Sequence, residues 1–208
     1  MTKVVHILGN GDNAVLFNHN CKGIRLVCNM PPFEVDNVYA SIMVDFKMMA
    51  ALTEGSLNLD KYWWVLGNRP KMWMQERPSF YMKHASHIRD FYLHVPKYAA
   101  LGTENPSLAA TNFNCGHMAT HYACNKLEAT EVHMYGFDSI FDHNMRSVTD
   151  LYLNSDRSNT NNYKLLNNWR PIWNFIFKEF KDTQFVLYHK HPNTKIDLPK
   201  NVTVRSKK

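Results

Sequence analysis

No apolar run in this 208-residue sequence reaches the roughly 18 to 20 residues that cross a bilayer as a helix, so a helical membrane span is not expected. The amino terminus, MTKVVHILGNGDN, has no signal-peptide pattern: its apolar stretch is short and runs straight into a glycine turn. The reading is a cytoplasmic protein. Cysteine is scarce. Cys21, Cys28, Cys115 and Cys124 show no tight C-x-x-C pair, which argues for reduced, mostly buried thiols. Pro-, Gly- or Ser-rich linkers and internal repeats are missing, so residues 1–208 read as a single α/β domain. There is no Asp-x-Asp triplet, no P-loop lysine and no third glycine of a dinucleotide fingerprint.

What is present is a mildly basic globular composition. Hydrophobic residues make up 45%, and Lys and Arg outnumber Asp and Glu by 24 to 18. A net charge of +6 suits an anionic partner, nucleic acid or a phosphorylated substrate, and equally suits a basic soluble enzyme. The one basic cluster, Val204-Arg205-Ser206-Lys207-Lys208, reads as a frayed end.

Six short β-rich runs punctuate the chain: Lys3–Leu8, Ile24–Cys28, Ser41–Phe46, Tyr62–Leu66, Glu131–Tyr135 and Gln184–His189. Most are apolar on both faces, which fits parallel strands covered by helices. Helical spacing appears over Phe46–Thr53, Asn114–Leu127 and Tyr163–Phe180, with a kink or split expected at Pro171. The alternation predicts a Rossmann-like, mostly parallel sheet flanked by helices. The polar segment His143–Asn162 reads as a lid loop.

Candidate chemistry collects where strands end. Gly9-Asn10-Gly11 follows the first strand, where glycines let backbone amides approach a ligand and a helix start favours negative charge. Asn29 ends the second strand, with an amide suited to a base or ribose or simply to a turn. Asn114-Cys115-Gly116 opens a helix, with Asn114 as its cap. Gly136-Phe137-Asp138 puts a carboxylate at the sheet edge, as a ligand contact or as a structural group.

In that order, GNG, CN, a [TN]-[SC]-G helix start and a strand ending in G-[IF]-D, the motifs resemble the sialyltransferases of glycosyltransferase family 42. Ser158-Asn159-Thr160 before a long helix and a strand reaching His191-Pro192-Asn193 extend the resemblance over most of the chain. It implies a variant GT-A-like domain with a lid, a CMP-type nucleotide-sugar donor, inversion and no metal or other cofactor. It would place Gly9, Asn10 and Gly11 near the donor phosphates, Asn29 at the cytidine, and Asn114, Cys115 and Gly116 along the nucleotide pocket. The chain departs from the family twice. Where the family has a tyrosine after the strand-end Asp stands Ile140, for which His143, Arg146, Tyr152 or Arg157 would have to substitute. The family's lid histidine aligns with Asp156, which becomes the candidate general base, with His143 second and Arg157 steadying the leaving phosphate. Those departures put sialic acid itself in question. The basic balance favours a hydroxymethylated base in bacteriophage duplex DNA as acceptor over a surface glycan.

Other readings stay open. One is a pyrophosphokinase-like nucleotide-binding domain. Another is a non-catalytic nucleic-acid module on Trp63, Trp64, Trp73, Phe80 and Tyr81 with Arg69, Lys71, Arg77 and Lys83. His117, His121 and Cys124 share a helical face on which zinc or plain packing is conceivable, and His84 and His87 form a similar pair.

Overall fold

A computed structural model describes residues 2–101, 104, 112–142 and 165–206. Its frame is an eight-stranded sheet: β1 (Val4–Leu8), β2 (Ile24–Cys28), β3 (Val38–Met43), β4 (Trp64–Leu66), β5 (Ile88–Phe91), β6 (Glu131–Tyr135), β7 (Gln184–His189) and β8 (Val202–Ser206). The strand order is β5-β4-β3-β2-β1-β6-β7-β8, and all neighbouring pairs are parallel. The expected α/β sheet flanked by helices is therefore present.

Among the described residues, five helices of seven or more residues connect the strands: α1 (Phe46–Thr53), α2 (Asn68–Gln75), α3 (Pro78–His84), α4 (Cys115–Asn125) and α5 (Arg170–Glu179). The Asp45 side chain caps α1 by accepting from the Lys47 amide at 3.1 Å. Val5 and Ile7 of β1 point to the face covered by α4 and α5, in a core with Met118, Ala119, Ala123, Trp173, Ile176 and Phe177. On the other face, Leu8 joins Phe17, Val27 and Tyr135. A third cluster of Met43, Met48, Met49, Trp64, Leu66, Met74 and Phe80 forms under α1 and α2.

Several boundaries differ from the sequence reading. β3 begins three residues earlier than the expected Ser41 start, and Phe46 opens α1 instead of closing a strand. β5 and β8 were not expected. Both are edge strands with polar, half-exposed positions, so neither shows an apolar run. Val204, Arg205 and Ser206 pair with Leu187, Tyr188 and His189, so that part of the supposed frayed end is ladder. The expected split is present at Pro171: a π-helical turn over Leu165–Trp169 gives way to α5 at Arg170, with the proline in the first turn of α5. The expected lid, His143–Asn162, and the terminal Lys207 and Lys208 lie outside the described residues. No helix among the described residues is long and apolar enough to cross a membrane.

Candidate functional site

The chain runs outward from β1 to β5, then returns to lay β6 against the other side of β1. Strand order thus reverses between β1 and β6. In open parallel sheets the carboxyl ends flanking such a reversal form a crevice, because the connections leave in opposite directions. Gly9-Asn10-Gly11 leaves β1 there, and Gly136-Phe137-Asp138 leaves β6.

The two turns are bonded to each other. Gly9 N donates to Tyr135 O at 2.7 Å and Gly11 N to Gly136 O at 3.0 Å. A Cβ on Gly9 would lie 2.6 Å from Gly136 O, and one on Gly11 would lie 2.6 Å from the Asp138 carboxyl carbon. The glycines are thus needed for close approach of chain to chain, and these two amides are spent within the protein. Asp138, buried, accepts from the Asn13 amide through Oδ2 at 3.2 Å, while its Oδ1 is buried without a partner.

The second and third strand ends join the same edge. Asn10 Nδ2 donates to Met30 O at 2.7 Å, tying the first turn to the second. Asn29 is left-handed (φ 59°), a conformation that asparagine tolerates better than most residues. Its amide donates to Ile42 O at 2.9 Å, and its carbonyl accepts from the Ser41 hydroxyl. Its side-chain Oδ1 is buried with no partner, an arrangement that costs about 1–3 kcal/mol unless something donates to it.

The N-terminus of α4 completes the edge. Asn114 Oδ1 accepts from the His117 amide at 3.0 Å, and His117 Nδ1 accepts from the Asn114 amide at 3.2 Å, a capping box in which histidine plays the part usual for glutamate. Cys115 Sγ donates to Ile42 O at 2.6 Å, and the hydrogen bond between the Cys28 and Cys115 thiols, followed by burial, pushes the Cys28 thiol well up. A Cβ on Gly116 would lie 2.7 Å from the Phe137 ring, so α4 also closes on the β6 turn. The structure therefore brings Gly9, Asn10, Gly11, Asn29, Asn114, Cys115, Gly116 and Asp138 to one sheet edge. Asp156, His143 and Arg157, the candidate catalytic residues, lie outside the described residues, as do Arg146 and Tyr152.

Sequence reasoning assigned no role to a group beside this edge. His189 ends β7, stacks on Phe141 at 4.0 Å, and has Nε2 3.4 Å from Asp142 Oδ2. His191 Nε2 lies 3.1 Å from Asp142 Oδ1. Burial lowers the His189 pKa, against the pull of Asp138 and Asp142 upward. Lys190 N donates to Asn13 Oδ1 at 3.0 Å, linking this group to the β1 turn. The segments meet across about fifty residues of sequence, so no local spacing announces them.

The histidines of α4 have separate partners. His117 Nε2 reaches Trp169 O at 3.0 Å, and His121 Nδ1 meets the Tyr92 hydroxyl at 2.6 Å. Among the described residues, neither they nor Cys124 belong to a cluster with metal-ligand spacing. His84 and His87 do come together with Asp60, at the opposite edge of the sheet. Of the aromatic group, Trp64 and Phe80 are core, and Arg77 already stacks on Trp73 at 4.3 Å. An open groove of about 350 Å³ lined by Lys178, Lys181 and Lys200 lies at the start of β7, away from the carboxyl ends of β1 and β6.

No family model matches this chain, and no curated protein or solved structure matches it.

Proposed function

We propose that this chain is a nucleotide-sugar transferase that moves a sugar from a CMP-type donor to an acceptor hydroxyl with inversion, without a metal in the transfer step. The observation that carries the reading is the meeting of four asparagine- or glycine-bearing strand and helix ends at the strand-order reversal. The Asn29 Oδ1, buried and unpartnered, suits a donor such as the cytosine amino group. The N-terminus of α4 at Asn114-Cys115-Gly116 offers positive dipole to the donor phosphate. Asp138 Oδ1 is an acceptor for a sugar hydroxyl.

Asp156 takes the acceptor proton in this proposal, with His143 as the second choice and Arg157 steadying the departing phosphate. The family 42 resemblance supports a base at the position of Asp156, where the family has histidine, while His143 and Arg157 are substitutes for groups this chain lacks. The acceptor proposed is a hydroxymethylated base in phage duplex DNA, supported by the net charge of +6. A phage enzyme of this kind would work in the host cytoplasm. In the nucleic-acid-module reading Trp64 and Phe80 drop out as core residues, which leaves the exposed Trp63 and Tyr81 as its stacking groups.

The test is donor hydrolysis. A panel of CMP- and UDP-sugars incubated with the protein is expected to release CMP from at least one CMP-sugar without added metal. Release of no nucleotide from any donor contradicts the proposal.

A further inference from the structure

The group formed by Asp142, His189 and His191 has the composition and spacing of a metal site. Each residue offers one ligand atom, and the three atoms lie within 4.8 Å of one another. The carboxylate faces both rings, one oxygen to each: His189 Nε2 is 3.4 Å from Asp142 Oδ2, and His191 Nε2 is 3.1 Å from Asp142 Oδ1. Zinc bonds of about 2.0–2.1 Å to nitrogen and oxygen, arranged tetrahedrally, place neighbouring ligand atoms about 3.3–3.4 Å apart. Each nitrogen–oxygen distance is at that scale, and the three-atom set, within 4.8 Å, closes to it by a small rotation of the carboxyl group and the rings.

A second observation points the same way. His189 is fully buried, yet its Nε2 makes no hydrogen bond, even with a carboxylate oxygen 3.4 Å away. A buried polar nitrogen left in that state is costly. A cation between Nε2 and the carboxylate relieves it. The other nitrogen, Nδ1, is already held by the His191 backbone, 3.2 Å from its carbonyl and 3.3 Å from its amide. Fixing the second ring nitrogen is how proteins orient a metal-binding imidazole. Arg170 holds the carboxylate's own turn, donating to Ser139 O at 2.8 Å and Asp142 O at 2.9 Å.

We infer that Asp142, His189 and His191 bind one first-row divalent cation of the zinc type, which fastens the turn after β6 to the turn after β7. Two imidazoles and one carboxylate are too nitrogen-rich for magnesium or calcium, which take oxygen ligands. The Asp142 and His191 side chains are each 32% exposed, so water reaches the fourth coordination position from that side. The site stands apart from the sugar-transfer proposal and survives or fails without it.

The experiment titrates zinc into the metal-stripped chain in competition with a chromophoric chelator and follows the unfolding temperature with and without zinc. Wild type is expected to take up one equivalent tightly and to unfold at a higher temperature with zinc. The Asp142→Asn, His191→Gln double variant is expected to bind at least about 100-fold more weakly. Its metal-free unfolding temperature should stay near that of metal-free wild type, because both side chains are part-exposed. The His84→Gln, His87→Gln variant is expected to keep the tight equivalent, and magnesium is expected to give no shift. The inference is overturned if wild type takes up no zinc, or if the Asp142/His191 variant binds as wild type does. Loss of the tight equivalent from the His84/His87 variant alone also overturns it.

Discussion

The unfolding free energy is expected to fall steeply below pH 6, by about 2–3 kcal/mol for each pH unit lost between roughly pH 6 and 4. Two buried histidines of α4 contribute most, and burial lowers His6, His84, His133 and His189 in the same sense. His117 is fully buried, and burial lowers its pKa to about 3. Both ring nitrogens are committed: Nδ1 accepts from the Asn114 amide, and Nε2–H donates to Trp169 O. A second proton would have to sit on Nδ1, facing an N–H. Burial likewise lowers His121 to about 4, although Glu179, 3.4 Å from Nε2, pulls it upward.

The sign follows from which state holds more protons. In the unfolded chain each histidine titrates near its ordinary value of about 6.5. Above that value both states are neutral and the pair contributes nothing to the pH dependence. Below it the unfolded chain is protonated and the folded chain is not, so acid favours unfolding until pH reaches about 4 for His121 and about 3 for His117. Each histidine contributes up to about 1.4 kcal/mol per unit. Over two units the loss is comparable to the whole stability of an ordinary domain, about 5–15 kcal/mol. Urea unfolding at pH 7, 6, 5 and 4 measures it, and a His117→Gln variant should show a shallower slope. A flat profile between pH 6.5 and 4 would show that these rings are not held neutral.

Gly136→Ala is expected to cost about 3 kcal/mol, against about 1 kcal/mol for Gly55→Ala. Both glycines are left-handed, at φ 72° and 75°, so alanine at either meets the same steric cost of about 1–2 kcal/mol. Their surroundings separate them. Around Gly55 a new Cβ meets nothing within 4 Å. Around Gly136 it meets Ala14 Cβ at 2.9 Å and the carbonyl oxygens of Gly9 and Gly11 at 3.0 Å. Overpacking of that kind adds about 1–3 kcal/mol, because two backbone carbonyls and an alanine methyl cannot rotate away. Relief requires the β1 and β6 turns to part, which would also break the 2.7 Å bond from Gly9 N to Tyr135 O. Chemical denaturation of the two variants side by side measures the difference. Equal losses would mean that the turns are not in close contact.

How much of this was legible in the sequence depends on the residue. Runs such as VVHIL and EVHMY betray central strands because both faces are covered, and Glu131–Tyr135 and Gln184–His189 begin and end where their apolar patterns do. IRDF and VTVRS are edge strands whose polar positions face solvent, so hydrophobicity alone does not reveal them. Asn114 was readable as a cap because capping is local. That His117 reciprocates was not, since that role normally falls to Glu or Gln. Gly9 and Gly11 were visible as a turn, but their reason is contact with Gly136 and Asp138, 125 or more residues away in the chain. Asp142, His189 and His191 are ordinary in sequence and become a group only because β6 and β7 are neighbours.

Calorimetry with CMP tests most directly whether the sheet edge at the β1–β6 reversal is a nucleotide cradle. The account predicts one CMP per chain, no comparable heat from ATP with magnesium, and about 10-fold weaker CMP binding in Asn29→Ala, since losing one buried hydrogen bond is worth about 1.4 kcal/mol. No heat from CMP or UDP, or a CMP affinity unchanged by Asn29→Ala, would contradict it.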